Sequence, residues 1–356
     1  MTLVQADRLI RILTALLERA GAEPERAKVC AEHLVLANLK GHDSHGVGMA
    51  PSYVRWMEAG KLFPNRRPRV LQDRGAVIVV DGQFGLGAPI AKETMELAIA
   101  RAKQTGVACV ALRNSCHIGR IGTYGEQCAD AGLVSMHYVN VVGAEPAVAP
   151  FGGREPRMLT NPYCCTVPRA DGAHIVLDFA TSAIAIGKLR VAHMKGEPAP
   201  PEVLIDAGGA PTTDTNTFFT SGPRGHLLPF GLHKGGGLQV LCELLGGALA
   251  GQWTMQPGSD RDYGAAVNNM LSIVIDPDAF GGRETYEAEA GAMIDYIRGT
   301  PPAVGVDRTR LPGDPERETM ARRRAEGVPI DDNTWRDILR AARSVGLGES
   351  EIEAIA

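Results

Sequence analysis

The sequence lacks the features that mark secreted, membrane-spanning and nucleic-acid-binding proteins. Its seven cysteines include the adjacent Cys164 and Cys165 but no C-x-x-C pair, which argues against a disulfide framework and a zinc ribbon. The formal net charge is −4, and the basic residues are scattered apart from the run 322–324, which is typical of a solvated helix face. We therefore expect no nucleic-acid or membrane partner. No apolar run of about 18 residues and no secretory signal pattern occur, so we expect a cytoplasmic protein.

Several common catalytic and nucleotide-binding motifs are also missing. The segment 82–87, Gly-Gln-Phe-Gly-Leu-Gly, comes nearest to G-x-G-x-x-G, but it does not keep that spacing and lacks the strand-turn-helix setting. A Walker loop, an H-E-x-x-H motif and a G-x-S-x-G motif are absent. The sequence therefore does not indicate a Rossmann fingerprint.

Composition and periodicity predict a globular protein with two domains. The 356 residues are 44% hydrophobic and 22% charged, which is enough chain for one large core and a smaller one. Apolar residues at helical spacing predict a helix over 6–19, and Pro24 as a helix start with Gly41 as a stop predicts a second helix over 24–39 that completes a helical hairpin. The segment 63–68 reads as a linker. From residue 76 short apolar segments alternate with helices, which predicts an α/β domain beginning near residue 70. We expect the tail from Pro329 to be helical and to pack against the N-terminal helices.

The α/β region divides into predicted strands and connections. The predicted strands are 76–80, 107–112, 133–139, 163–167, 175–177 and 271–275. A helix is predicted over 89–104, and the segment 196–225, rich in proline, glycine and threonine, is predicted to be a long ordered loop. A turn at 310–315 precedes a charged helix.

One loop between a predicted strand and a predicted helix carries a histidine among glycines. The segment 114–125 reads Asn-Ser-Cys-His-Ile-Gly-Arg-Ile-Gly-Thr-Tyr-Gly, so His117 lies just before the helix 121–131. Glycine allows a ligand to approach the backbone, and a helix start presents unpaired N–H groups. An imidazole in that position is suited to proton transfer.

Two further glycine-rich helix starts carry candidate side chains. His45 lies in the segment 41–48, and Lys234 lies in the segment 232–245. Such a set suits a site where a histidine protonates a developing alkoxide while helix starts and a lysine hold anionic groups.

A metal site is a competing hypothesis. The sequence supplies two sets of possible zinc ligands, His42 and His45 with Asp43, or Cys116 with His117. The first set lies on a glycine-bearing turn without i, i+4 spacing, and no second cluster completes four ligands, so we expect no metal.

Other side chains have simpler interpretations. A hydrolase with Ser44 as nucleophile beside His45 is disfavoured, because adjacent residues usually point apart and no oxyanion loop is evident. His33 lies in an amphipathic helix and His137 in a strand, so each is expected to be a packed or hydrogen-bonded core residue.

Several segments in order along the chain resemble the malate/L-lactate dehydrogenase family that lacks a Rossmann fold. These segments are 43–46 (Asp-Ser-His-Gly), 113–119 (Arg-Asn-Ser-Cys-His-Ile-Gly), 149–153 (Ala-Pro-Phe-Gly-Gly), 160–162 (Thr-Asn-Pro), 177–182 (Leu-Asp-Phe-Ala-Thr-Ser) and 311–313 (Leu-Pro-Gly). The segments 41–48 and 117–122 are most similar to its hydroxycarboxylate dehydrogenase branch. The family also holds ureidoglycolate, sulfolactate and diketogulonate dehydrogenases and cyclic-imine reductases.

The resemblance implies a fold and an activity. It implies an α/β fold, an α+β mixed sheet over 71–311 that binds a nicotinamide cofactor without a Rossmann fold, and a smaller helical domain from 1–70 plus 312–356. It implies NAD(P)H-dependent interconversion of 2-oxo and 2-hydroxy acids by a homodimer with its site near the subunit interface. NAD(H) is expected before NADP(H), although one or two groups near the ribose decide this. The alternative is NADPH-dependent reduction of cyclic imino acids.

The resemblance also assigns roles to residues of this chain. His117 matches the acid/base of ureidoglycolate dehydrogenase, and His45 matches the proton donor proposed for diketogulonate reductase. From its position beside the glycine loop we expect His117 to be the proton donor and His45 to hold the substrate or nicotinamide. The cofactor-binding residues it implies are His45, His117, Ile118, Gly119, Asn140, His174, Ile175, Val176, Leu177, Asp178, His233, Lys234, Asn268, Pro312, Gly313, Asp314 and Pro315.

Substrate binding is where the chain departs from the family. Many members have an arginine, expected to grip the substrate carboxylate, where this chain has Met49. The substrate-binding residues are expected to be Ser44, Met49 and Arg120. Arg120 or Arg55 takes over the missing cation, or the site prefers a bulkier and less polar acid.

Overall fold

The structure is a computed structural model that describes residues 2–251, 253–257 and 263–355. The strands are β1 Thr2–Val4, β2 Arg69–Arg74, β3 Val77–Asp81, β4 Val107–Cys116, β5 Val134–Val142, β6 Tyr163–Val167, β7 Ile175–Phe179, β8 Leu204–Ile205, β9 Pro211–Thr212, β10 His226–Leu227, β11 Val267–Ile275 and β12 Val328–Ile330. The α-helices are α1 Ala6–Arg19, α2 Pro24–Leu39, α3 Ala50–Glu58, α4 Gly87–Thr105, α5 Gly122–Asp130, α6 Ile186–Lys195, α7 His233–Leu241, α8 Arg283–Arg298, α9 Asp314–Glu326, α10 Asp332–Ser344 and α11 Glu349–Ala354.

A mixed sheet forms the centre of the molecule. Within the described residues its strand order is β2-β3-β4-β11-β5-β6-β7. Only the β3–β4 pair is parallel, because α4 returns the chain between these two strands, and the other neighbours are antiparallel. The sheet confirms the expected α/β fold with an α+β mixed sheet. It places the end of β4, where the His117 loop begins, beside β11.

A second apolar core joins the two ends of the chain. β1 pairs with β12, and the leucines and isoleucine on one face of α1 pack with Ile338 and Ala342 of α10. The helices predicted over 6–19 and 24–39 have those bounds, and the expected packing of the tail on them is confirmed. The division into domains at residues 70 and 312 stays a prediction.

Exposed elements escaped prediction because they carry no apolar pattern. β2 follows the expected linker and is exposed along nearly all its length. In α8 the described burial pattern leaves Ile294 as the one buried residue, so no apolar stripe marks this helix.

Two predicted segments differ from the structure in their detail. The segment 196–225, expected to be a loop, contains the two-residue strands β8 and β9, which form a three-stranded sheet with β10. The tail begins as a strand at 328–330, and its helix starts only at Asp332, where the Asp331 carboxylate accepts from the N–H groups of Asn333 and Thr334.

Candidate active site

The His117 loop is held closely by its surroundings. The N–H of His117 donates to the Ala266 carbonyl at 3.0 Å, and the N–H of Ile118 donates to Asn268 Oδ1 at 2.9 Å. Gly119 has φ +73°, and a Cβ there would lie 2.2 Å from His33 Nε2. Glycine is therefore required at this position on both conformational and steric grounds.

His33 supports the loop from α2. Its Nε2 accepts from the N–H of Arg120 at 3.0 Å, and its ring stacks on Tyr124, whose hydroxyl donates to the Ile118 carbonyl. Burial, with the nearby Arg120 charge, lowers the pKa of His33 to about 3, so the ring stays neutral and its Nε2 remains an acceptor for the Arg120 N–H. The expectation that His33 is a hydrogen-bonded core residue is confirmed.

His137 is likewise a core residue. It is buried in β5, and its ring nitrogens lie 2.9 Å from Ser272 Oγ and 3.0 Å from Ser135 Oγ. This confirms the interpretation of His137 as structural.

The turn that carries His45 is fixed at both ends by Asn38. The amide of Asn38 donates to Asp43 Oδ1 at 2.6 Å and accepts from the N–H of Val47 at 2.7 Å. A Cβ at Gly46 would lie 2.1 Å from Asn38 Oδ1, so glycine lets the turn close on this side chain. The single 3₁₀ turn Asp43–His45 therefore directs His45 in a defined orientation.

The two predicted histidines meet although 72 residues separate them in sequence. His45 Nδ1 lies 3.1 Å from His117 Nε2, the ring planes differ by 12° and the ring centroids are 5.2 Å apart. The facing nitrogens are much closer than the centroids, so the rings meet edge to edge in a hydrogen bond. On the other side of His117, the Tyr53 hydroxyl lies 2.7 Å from Nδ1.

Burial keeps this pair neutral. It is the main cause that lowers the pKa of His117 well below its usual value, and the neighbouring His45 and His33 lower it further. Burial also lowers the pKa of His45 to about 4, although the Asp178 carboxylate opposes this. Tyr53 is 2% exposed, and burial raises the pKa of its phenol well above the usual value. Either ring can therefore become protonated near neutral pH only when a nearby group stabilises the positive charge.

Arg120 is committed to carboxylates of its own chain. Its side chain is fully buried, and two of its nitrogens lie 3.0 and 3.1 Å from the Glu126 oxygens. Its Nε lies 3.5 Å from Asp178 Oδ2. The substrate-binding role expected for Arg120 stays a prediction, and the geometry lends it no support because the guanidinium faces these carboxylates.

The predicted cofactor-binding segments lie next to one another. The N–H of Val176 donates to the Pro312 carbonyl at 3.1 Å, and Arg317 bridges the His174 carbonyl and Asp314 Oδ1 at 2.7 and 2.6 Å. These contacts join β7 to the start of α9.

Two of the predicted cofactor-binding residues, Asp178 and Asn268, contact the His117 loop or the helix that follows it. Asp178 Oδ2 accepts from the N–H of Gly122 at 2.8 Å. Asn268, which holds Ile118, donates through Nδ2 to the Asn140 carbonyl at 3.0 Å. The structure thus brings together the predicted segments 117–119, 140, 174–178, 268 and 312–315.

His233 and Lys234 stand apart from this set. They occupy the exposed start of α7, and His233 contacts the Phe151 ring at a centroid distance of 5.9 Å. Within the described chain no hydrogen bond joins either side chain to the segments around His117. Their role in cofactor binding stays a prediction.

In the first turn of α5, the Thr123 hydroxyl oxygen is buried and has no hydrogen-bond partner within the described residues. The backbone N–H groups of this turn are already paired, since that of Gly122 donates to Asp178 Oδ2 and that of Tyr124 donates to the Ile121 carbonyl. Buried polar groups are normally paired, so the Thr123 hydroxyl fits a polar group of a bound cofactor beside the His117 loop.

The side chains expected to contact substrate surround the His45 turn. Ser44 is exposed and packs closely against Gly187 at the start of α6. A Cβ added to Gly187 would lie 3.1 Å from the Ser44 Cβ. Met49 is half-buried and packs against the helical core, and Arg55 donates to Ser52 Oγ at 2.8 Å. These substrate roles stay predictions.

Among the described residues, no group of three or more histidine, cysteine or acidic side chains could hold a metal ion, and all seven cysteines are free. No described helix is both long and apolar enough to cross a bilayer.

Three residues that the sequence did not single out support the histidine pair, namely Tyr53, Asn38 and Arg323. Tyr53 lies on the buried face of α3, and Asn38 lies at the buried end of α2. Arg323 belongs to the run 322–324, whose assignment to a solvated face holds for Arg322 and Arg324 only. Arg323 is turned inward against Asp43, and a run of like charges gives no signal of this.

Comparisons with known proteins agree with the resemblance. The family model for malate/L-lactate dehydrogenase matches residues 4–339. Hydroxycarboxylate dehydrogenase B of Escherichia coli (strain K12) is 44% identical over 359 residues, covering 98% of this chain and 96% of that protein.

Solved structures extend the comparison. Sulfolactate dehydrogenase from Methanocaldococcus jannaschii superposes with a TM-score of 0.88 at 32% identity, covering 99% of both chains. Delta1-piperideine-2-carboxylate reductase from Pseudomonas syringae superposes with a TM-score of 0.83 at 32% identity, covering 96% of this chain and 100% of that one. The matched family model, the 44% identity and the shared fold together show that this chain belongs to the malate/L-lactate dehydrogenase family.

Proposed function

We propose that this protein is an NAD(P)H-dependent oxidoreductase that interconverts 2-oxo acids and 2-hydroxy acids, with NAD(H) preferred to NADP(H). The observation that carries the proposal is the part-buried contact between His45 and His117 at 3.1 Å, near the buried Thr123 hydroxyl that has no hydrogen-bond partner within the described residues. Hydroxycarboxylate and sulfolactate dehydrogenases among the similar proteins support the substrate class.

The nicotinamide, when bound, supplies the hydride. The residues for it are the loop 117–119 with Thr123, Asn140, Asn268 and the joined segments 174–178 and 312–315. These residues would hold the cofactor, and the amides of Asn140 and Asn268, which are bonded within the protein, would keep the loop and strands around it in place.

His117 supplies the proton. Reduction of a 2-oxo group leaves an alkoxide, and an imidazolium beside it transfers its Nε2 proton to that oxygen, contributing roughly a hundredfold to ten-thousandfold in rate. The N–H bond breaks as the O–H bond forms, and the ring becomes neutral. His45, which faces Nε2, holds the substrate or nicotinamide in place.

The substrate itself makes this proton available. Burial lowers the pKa of both rings in the free protein, so few molecules carry the charge near neutral pH. A substrate carboxylate beside the rings favours the charged form and raises its pKa. The site thereby becomes an acid mainly when an anionic substrate is present.

The assembly and location follow the family expectation. We infer a cytoplasmic homodimer with its site near the subunit interface. The exposed apolar residues Val240, Leu241, Leu244 and Leu249, along α7 and the π-helix Cys242–Leu249, are of the right character to be covered by a second subunit. Light scattering on the purified protein measures the mass directly, and a monomer at micromolar concentration would refute the dimer.

A substrate panel tests the proposed reaction. Purified protein is mixed with 2-oxo acids and cyclic imino acids, each with NADH and with NADPH, and loss of nicotinamide absorbance is followed. We expect turnover of 2-oxo acids with NADH. The similarity to delta1-piperideine-2-carboxylate reductase favours imine reduction as the second candidate, which a strong preference for cyclic imino acids would promote. No turnover anywhere on the panel, with the protein folded, would refute both.

A further inference from the structure

The Tyr53 hydroxyl contacts His117, and the proposed reaction assigns no role to this contact. It lies 2.7 Å from His117 Nδ1, on the side of the ring opposite to Nε2 and His45. Tyr53 is buried, and no other hydrogen-bond partner of its hydroxyl exists in the part of the chain that the structure describes. Since buried polar groups are normally paired, we take this hydroxyl and this ring nitrogen to be hydrogen-bonded to each other.

We propose that Tyr53 is a positioning residue that fixes Nε2 of His117 as the nitrogen that exchanges the proton and stabilises the protonated ring through Nδ1. This inference rests on the proposed function. A hydroxyl can accept from an Nδ1–H group and can donate to a bare Nδ1. The contact therefore persists whether or not Nδ1 carries a proton, and the ring does not turn.

The protonated ring depends on this contact more than the neutral ring does. An imidazolium carries N–H groups on both nitrogens, and each needs an acceptor when it is buried. Nε2 can use His45 Nδ1 or the substrate oxygen, whereas Nδ1 has Tyr53 as its one partner among the residues that the structure describes. When Nε2 transfers its proton to the alkoxide, the proton on Nδ1 remains and is still donated to the Tyr53 oxygen.

The titratable groups around the ring offer no substitute. His45 faces Nε2, and the neighbouring His33 lowers the pKa of His117 when charged. Asp178 acts on His45 and raises its pKa, while burial lowers it more. Replacing Tyr53 by phenylalanine keeps the ring packing against Trp56, at a centroid distance of 5.7 Å, and removes only the oxygen.

Nitrogen NMR of the histidines tests the proposal without substrate or activity. The protein is labelled with ¹⁵N-histidine, and His117 is assigned by comparison with His117→Gln. We expect Tyr53→Phe to lower the pKa of His117 further relative to the wild-type protein. Tyr286→Phe is the matched control, because among the described residues its hydroxyl bonds to the Pro168 carbonyl alone, at 3.5 Å, and it should leave His117 unchanged.

Kinetics supply a second readout. In Tyr53→Phe the pH profile of reduction should move to lower pH, and kcat at neutral pH should fall about tenfold for each unit of pKa lost. The KM for the cofactor should stay close to the wild-type value, because Tyr53 is not expected to contact the cofactor. Trp56→Phe, which disturbs the same packing without removing a polar contact, should keep the wild-type profile.

The outcomes separate the inference from the proposed reaction. An unchanged His117 titration in folded Tyr53→Phe, or the same shift in Trp56→Phe, would overturn the role of Tyr53 even if the enzyme reduces 2-oxo acids. A lowered pKa of His117 in Tyr53→Phe alone would support it even if the substrate panel failed. Thermal melting confirms that each variant is folded.

Discussion

Arg323 in α9 holds Asp43, two residues before His45, through both carboxylate oxygens. Its Nη1 lies 2.6 Å from Oδ1 and its Nη2 lies 3.0 Å from Oδ2. The same helix begins at Asp314, within the segment expected to bind the cofactor, so one rigid element reaches from that segment to the His45 turn. Arg323 thus connects two parts of the proposed site that are far apart in sequence.

We expect Arg323→Gln to slow reduction while changing stability little. Without the Arg323–Asp43 ion pair the His45 turn can shift. A shift of about 1 Å in a catalytic group costs about tenfold to a hundredfold in rate. Because the Asp43 side chain is 50% exposed, the ion pair contributes at most about 1 kcal/mol to folding. Arg322→Gln is the matched control, since that neighbour is exposed. Equal kcat in the two variants would show that Arg323 does not position His45.

Gly119→Ala should damage both stability and activity. A Cβ at this position meets His33 Nε2 at 2.2 Å, and φ of +73° is strained for alanine, so we expect a loss of about 1–3 kcal/mol in the free energy of unfolding. Gly346→Ala has a similar φ of +77° with nothing within 4 Å of the new Cβ, and it isolates the strain alone. Denaturant titration and cofactor binding compare the two, and equal losses would mean that His33 yields to the new methyl group.

Arg120→Gln should destabilise the fold at neutral pH by about 3–5 kcal/mol, because it removes the buried cation that lies beside Asp178 and leaves Glu126 to Lys40. Burial raises the pKa of Glu126, but the charges of Arg120 and Lys40 outweigh it and lower the pKa below its usual value. A lowered carboxyl pKa stabilises the fold above the unfolded pKa, and that contribution is lost as the pH falls through the folded pKa. The difference between wild type and variant should therefore shrink in acid. A difference that stays constant from neutral to acid pH would contradict this account.

Met49→Arg should move substrate preference towards small acids such as pyruvate. A guanidinium binds a carboxylate through two parallel hydrogen bonds, which a thioether cannot form. The substrate panel measures the ranking, with Met49→Leu as a control of similar size and no charge. An unchanged ranking in Met49→Arg would show that position 49 does not face the substrate, in line with its packing against the helical core.

Periodicity in the sequence was enough to locate the buried elements. α1 has the predicted bounds because its apolar residues follow helical spacing, and α2 has them because Pro24 starts the helix and Gly41 follows its end. β2 and α8 were missed because they are exposed, so hydrophobic patterning does not apply to them. The short strands β8, β9 and β10 depend on pairing with each other, which no local signal reveals.

The candidate site was predictable in its histidines but not in their environment. Glycines beside His45 and His117 marked both loops, whereas the contact between them depends on how the helical core seats α3 and the His45 turn against the sheet. Tyr53 and Arg323 contact the site from α3 and α9, and a tyrosine or an arginine on a helix has many ordinary uses. Only the folded chain shows which of these uses Tyr53 and Arg323 have.

The pH dependence of 2-oxo acid reduction in His117→Gln and His45→Gln tests the central claim most directly. Reduction needs the protonated ring, so the wild-type rate should fall as the pH rises through the pKa of the substrate-bound pair. We expect His117→Gln to lower kcat by roughly a hundredfold or more and to abolish this pH dependence, with cofactor affinity retained. His45→Gln should keep the pH dependence and raise the substrate KM at least as much as it lowers kcat. If His45→Gln instead lost the pH dependence while His117→Gln kept it, His117 would not be the proton donor.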